Sequence, residues 1–230
     1  MKTRFAFCLA LTTAAMLTAA PAAQDEELRQ RRKSQNNLKQ IGLAMHNYHA
    51  ANGKFPADVV DGNGKALLSW RVLILPYIEQ NNLYKQFKLD EAWDGDHNKK
   101  LLATIPHIYM SPLQKAKEGR TTYLGPRGKD YLFNPDAKGQ GRRIADITDG
   151  TSNTVMVVEA NDEKAVEWTK PGDWEPNAAD PAKDLLGHFH DGFNALFCDG
   201  SVRFINKSIN AKTLNAILTI SGGEVVDKIP

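Results

Sequence analysis

Cysteine is nearly absent, with only Cys8 and Cys198 in 230 residues. Cys8 falls in an apolar N-terminal run, so Cys198 stands alone in the rest of the chain and an internal disulfide framework is excluded. Net charge is lacking too. The chain carries 29 Lys+Arg against 27 Asp+Glu, and residues 1–22 hold two of the bases, Lys2 and Arg4, and no acid. The remainder is formally neutral, so it offers no bulk field to attract nucleic acid or an anionic bilayer, and neither is an expected partner. The Arg29, Arg31, Arg32, Lys33 cluster is a local exception that reads as a solvated helix face. Long apolar runs are missing beyond residues 5–20, and that run is shorter than the roughly 20 residues a bilayer core requires. Glycine-rich phosphate loops are missing as well, since Gly62/Gly64 and Gly139/Gly141 precede no helical pattern.

What the N-terminus does contain is a secretory signal. Lys2 and Arg4 precede the apolar run, Ala20-Pro21-Ala22 fits a small-residue cleavage site, and Gln24-Asp25-Glu26-Glu27 turns abruptly polar. Residues 1–22 are therefore expected to be removed, leaving a periplasmic or secreted protein. The rest of the chain is long enough to build its own core as a single domain spanning 38–230, preceded by a polar helical stalk over 23–37.

Leu38, Ile41, Met45 and Tyr48 recur at helical steps, and Asn52-Gly53 supplies a left-handed stop with Pro56 beyond. Val59-Val60 and Ala66-Leu67-Leu68 flank the turn residues 61–64 as a short hairpin. Ser69 caps a helical segment from Trp70 that Pro76 breaks before it continues to Phe87, and a short helix is expected over 98–105. Strand candidates follow at 131–133, 154–159 and 165–168, with a Pro-rich loop over 170–183. Residues 193–205 form the clearest hairpin. A two-residue turn at Asp199-Gly200 pairs 197 with 202 and 195 with 204, which predicts Ala195, Phe197, Val202 and Phe204 on one face. A helix over 211–220, capped by Asn210, closes the chain. One long helix followed by mainly antiparallel strands and small helices is an α+β order.

Candidate chemistry concentrates at His188-Phe189-His190-Asp191 and at Asp199. His188 and His190 share a face of an extended segment, as two metal ligands do, and Asp191 and Asp199 supply carboxylates, so a divalent metal is the one cofactor the sequence suggests. The same residues are also ordinary turn chemistry. Asp94, Asp96 and Asn98 imitate the opening of a calcium loop that Lys99 and Ile105 then break. Cys198 with His190 would make a thiol and base, yet no nearby cation or helix N-terminus lowers the thiol pKa. Ser152 lies in a turn, not in a nucleophile elbow.

Four segments together carry a resemblance: 36–42 (Asn-Asn-Leu-Lys-Gln-Ile-Gly) with 45–49 and Phe55-Pro56; 69–72 (Ser-Trp-Arg-Val) with 75–80; 149–154; and 194–204. In this order they resemble the bacterial family of domain of unknown function 1559, abundant in planctomycetes, whose members are similar to the major pseudopilin of type II secretion. The resemblance implies a pilin-like fold, a long helix packed on a mainly antiparallel sheet, and a role as either a secretion-apparatus or a solute-transport component. Such members begin with a prepilin leader and a long apolar helix, where this chain has its signal-like segment, so assembly by pilin processing is not expected. The reading that follows is a non-catalytic domain that binds envelope or secretion-apparatus proteins. A periplasmic module for a small solute, with a pocket among Trp70, Trp93, Trp168 and Trp174, is one rival. A metal-dependent hydrolase using His188, His190, Asp191 and Asp199 is the other.

Overall fold

The computed structural model describes residues 13–134, 140–224, 226 and 229. Residues 1–12, with Cys8 and most of the expected signal peptide, lie outside the described residues. In chain order the elements are α1 (Thr13–Asn52), β1 (Val59–Val60), β2 (Ala66–Leu68), α2 (Trp70–Leu73), α3 (Asn81–Tyr84), β3 (Arg120–Thr121), β4 (Tyr123–Leu124), β5 (Val155–Glu159), β6 (Val166–Glu167), β7 (Gly192–Phe197), β8 (Val202–Asn206) and α4 (Ala211–Leu218). The main sheet, β4-β5-β7-β8, is antiparallel throughout, and β1-β2 and β3-β6 form two small ladders of their own. The protein is α+β, with a long N-terminal helix laid on an antiparallel sheet.

Helical periodicity explains that packing. Leu38, Ile41, Ala44 and Met45 form one stripe of α1, all fully buried in one cluster with Met156, Val157, Leu196 and Cys198. Gly42 permits the close approach, because a Cβ there would stand 2.8 Å from Leu196 Cδ1. Tyr48 sits at the margin, partly buried and edge-on to Tyr77. The helix ends where the sequence predicts, with the Gly53 N–H bonded to the His49 carbonyl. On the opposite face of the sheet, α4 buries Leu214, Ile217 and Leu218 in a second cluster with Val158, Phe193 and Phe197. Helices thus cover both faces, and every residue of β5 and β7 is buried.

The capping predictions match. Ser69 Oγ accepts from the Arg71 N–H and Asn210 Oδ1 from the Thr213 N–H. Pro76 opens a 3₁₀ turn, Leu75–Ile78, which breaks the helical run, and the next segment resumes only as α3. The expected helix over 98–105 is a single 3₁₀ turn, Asn98–Leu101.

Three expectations are corrected. Residues 131–133 form turns, not a strand; Leu132 and Phe133 are apolar because they are buried, with Phe133 against the Trp70 ring at 5.0 Å. The stalk over 23–37 is not polar surface to its end, since Ser34 and Asn37 are buried. The β7–β8 register differs by one residue from the two-residue turn: Leu196 pairs with Val202 and Asn194 with Phe204. Gly200 takes a left-handed φ of 84° and Asp199 does not, so the connection is a three-residue loop with a type I turn and a bulge instead of type I′. Leu196 and Val202 therefore pack toward α1, while Ala195 and Phe197 face α4.

Candidate functional site

The predicted His/Asp set does not converge. His188, His190 and Asp191 precede β7, whereas Asp199 follows it, and a six-residue strand separates its ends by about 20 Å. His190 and Asp191 are exposed, and their side chains approach each other only to 3.6 Å. Asp199 lies 3.8 Å from Arg203 and its carboxylate caps the Ser201 N–H. Among the described residues no group of three or more His, Cys, Asp or Glu side chains is placed to hold a metal ion. The same strand separates Cys198 from His190, and burial pushes the buried Cys198 thiol far up, with the Asp199 charge adding to it. Asp94 and Asp96 are exposed, while Asn98 turns inward to bond the Lys88 and Glu91 carbonyls, closing a loop on itself.

His188 alone of the set is drawn inward, and it leads to a cluster that the motifs did not single out. Its side chain is 6 % exposed, with Nδ1 3.4 Å from Glu159 Oε1 and Nε2 3.3 Å from Asp162 Oδ1. Burial works against its charged form, but hydrogen bonds and charge from Glu159 and Asp162 outweigh that and raise its pKa above the usual imidazole value. Glu159 ends β5 and is 1 % exposed. Its carboxylate accepts from Ser34 Oγ on α1 and Ser111 Oγ, both at 2.5 Å, and from Asn194 Nδ2 on β7 at 2.9 Å. Tyr123 donates to Ser34 Oγ at 2.9 Å, and Asn37 Nδ2 donates to the Met110 carbonyl. One buried carboxylate thus ties together α1, the 110–111 segment, β5, β7 and the His188 loop. A buried charge is tolerable because its lone pairs are filled by donors. Both serine hydroxyls donate straight to the carboxylate, and His188 Nδ1 shares Oε1 with Ser111, so histidine and serines meet at Glu159.

A second buried pair explains the Ser-Trp-Arg motif. Arg71 and Asp173 side chains are both fully buried, joined by two hydrogen bonds of 2.9 and 3.0 Å. Asp173 also accepts from Trp70 Nε1 and the Gly125 N–H, and Arg71 donates to the Tyr123 carbonyl. The Asp149-Gly-Thr motif is likewise a tie, its carboxylate accepting from the Gly222 and Gly223 N–H groups. Trp70, Trp168 and Trp174 are core residues whose indole N–H groups bond Asp173, the Leu102 carbonyl and Asp184.

Beside the Glu159 cluster an open groove of about 840 Å³ runs between α1 and the 105–120 segment. Gln30, Lys33 and Asn36 line it from the helix, and His107, Lys117 and Arg120 from the segment. Asn37 and Ser111 belong both to its lining and to the buried network. None of the four tryptophans lines it. A binding groove was not legible in the sequence, because its two walls lie some 75 residues apart in the chain.

The sequence profile of SBP_bac_10, described as a protein of unknown function (DUF1559), matches residues 27–124 and 107–191. No curated protein and no solved structure matches the chain. The matched residues run from α1 through the Arg71–Asp173 pair and Glu159 to the His188 loop, and with them the chain belongs to this family of unknown function.

Proposed function

We propose that the protein is an exported, non-catalytic domain that binds other proteins of the cell envelope, in the manner of a pseudopilin-like assembly component. The observation that carries the reading is the division of α1. From Ser34 to Met45 the helix is clasped to the sheet, by Glu159 below and the Leu38/Ile41/Met45 stripe beside it. From residue 22 to 33 the helix carries no fully buried side chain and presents exposed Arg29, Arg32 and Lys33. One side of this stretch is docked, with Glu27 accepting from the His190 N–H and Arg31 lying 4.4 Å over the Phe204 ring, and the other side is solvated, an arrangement that suits contact with a partner. Farther along, Leu43 is 63 % exposed on the same helix, an apolar point amid polar surface. Among the described residues, no helix is long and apolar enough to cross a membrane.

The test uses the full chain in cells that export it. Osmotic-shock fractionation with N-terminal sequencing is expected to find it outside the cytoplasm, starting near residue 23. A photo-crosslinking residue at Arg29 or Arg32 is expected to capture a defined envelope protein that the same residue at Lys212, on α4, does not. A cytoplasmic, uncleaved product overturns the export reading. Identical adducts from all three positions, or none, overturn the assembly reading.

A further inference from the structure

We propose that the groove between α1 and the 105–120 segment is a binding site for a small organic anion bearing carboxylate or phosphate groups. Its volume, about 840 Å³, lies within the range of small-molecule sites. Lys33, Lys117 and Arg120 line it against a single acid, Glu118, a cationic excess on a chain whose charge is otherwise close to balanced. A low-dielectric wall carrying one sign of charge concentrates the field and raises the local concentration of counter-ions.

One feature separates this groove from an ordinary basic patch. Among the described residues neither Lys33 nor Lys117 has an ion-pair partner, so neither charge is spent on the fold. Arg120, by contrast, is ion-paired with Glu167 Oε1 at 3.6 Å across the β3–β6 ladder. The two lysines therefore supply the uncompensated charge of the groove, and carboxylate and phosphate oxygens are the acceptors that ammonium donors take.

The rest of the lining suits a molecule larger than a bare ion. Ile105, Met110 and Pro112 give apolar contact, and Gln30 and Asn36 give amide groups. The base of the groove is fixed in advance: Asn37 is held by the Met110 carbonyl, and Ser111 by Glu159. Little ordering is then left to oppose binding. The groove shares Gln30 and Lys33 with the exposed stretch of α1, whereas Arg29 and Arg32 lie outside its lining.

The test is calorimetric titration of the full chain with citrate, glucose 6-phosphate and, as the uncharged control, glucose. One-to-one saturable binding is expected for citrate or for glucose 6-phosphate, which separates carboxylate from phosphate preference, with none for glucose. Affinity should fall as salt is raised. The double variant Lys33→Gln/Lys117→Gln should bind about tenfold or more weakly, while Lys39→Gln/Lys212→Gln, exposed lysines outside the groove, should bind as the parent does. Equal melting temperatures for both double variants would keep a folding defect out of the comparison. Absence of saturable binding by both anions at millimolar concentration overturns the proposal, and so does full binding by the groove variant.

Discussion

Replacing Glu159 by alanine tests whether one carboxylate holds the helix to the sheet. The substitution removes the acceptor for Ser34 Oγ and Ser111 Oγ at 2.5 Å, for Asn194 Nδ2 at 2.9 Å, and the counter-charge facing His188 at 3.4 Å. Ser34 and Asn194 are fully buried and Ser111 is 4 % exposed, so water does not readily replace the lost acceptor. A buried amide donor left without a partner costs about 1–3 kcal/mol. The hydroxyls re-aim more cheaply, but loss of one member of a buried charged network typically costs about 3–5 kcal/mol in total. That is a large share of a stability of roughly 5–15 kcal/mol, and for a domain of this size it lowers Tm by roughly 6–20 °C. Glu159→Gln keeps the shape and one acceptor oxygen while turning an amide N–H toward existing donors, so its cost is smaller, about 2 kcal/mol. Urea and thermal unfolding followed by circular dichroism give both values. Hydrogen exchange adds the location: amides of residues 34–45 should lose protection in the alanine variant more than those of α4. A Glu159→Ala protein within about 0.5 kcal/mol of the parent, the range of ordinary surface substitutions, refutes the clasp.

Other consequences are checkable with similar means. His188 has a raised folded-state pKa, so its stabilising contribution is complete below the unfolded imidazole value near about 6.5 and disappears as pH rises through the folded value. The stability difference between the parent and His188→Asn should therefore shrink with rising pH in denaturant titrations; a difference that widens contradicts the pairing with Glu159 and Asp162. Arg71→Met leaves the Asp173 carboxylate buried beside Trp70 Nε1 and Gly125 N–H without its cation, and should destabilise by about 3–5 kcal/mol. Adding Asp173→Asn should recover part of that loss, which a double-mutant cycle measures. Cys198 is buried, and burial pushes its thiol pKa up, so thiol reagents should modify it only at the rate of global opening; rapid labelling of native protein contradicts its place under α1.

The sequence by itself determined the features whose physics is local. The Leu38/Ile41/Met45 stripe needs only the 3.6-residue period, Gly53 acts through its own backbone, and Ser69 and Asn210 need only the N–H two and three residues on. The α+β order follows from those elements in sequence. The β7–β8 register was decided elsewhere. Both faces of β7 are buried, so apolar alternation does not say which face is which, and the choice fell to whether one residue or two took a left-handed φ at the turn. The polar clasp was out of reach for a related reason: Ser34 and Ser111 lie 125 and 48 residues from Glu159. A glutamate at the end of an apolar strand reads as the strand's exit to solvent until α1 is laid over it. Only tertiary packing then removes the water and makes distant hydroxyls, an amide and His188 its solvent instead, because a buried carboxylate must be satisfied by whatever donors the fold brings near.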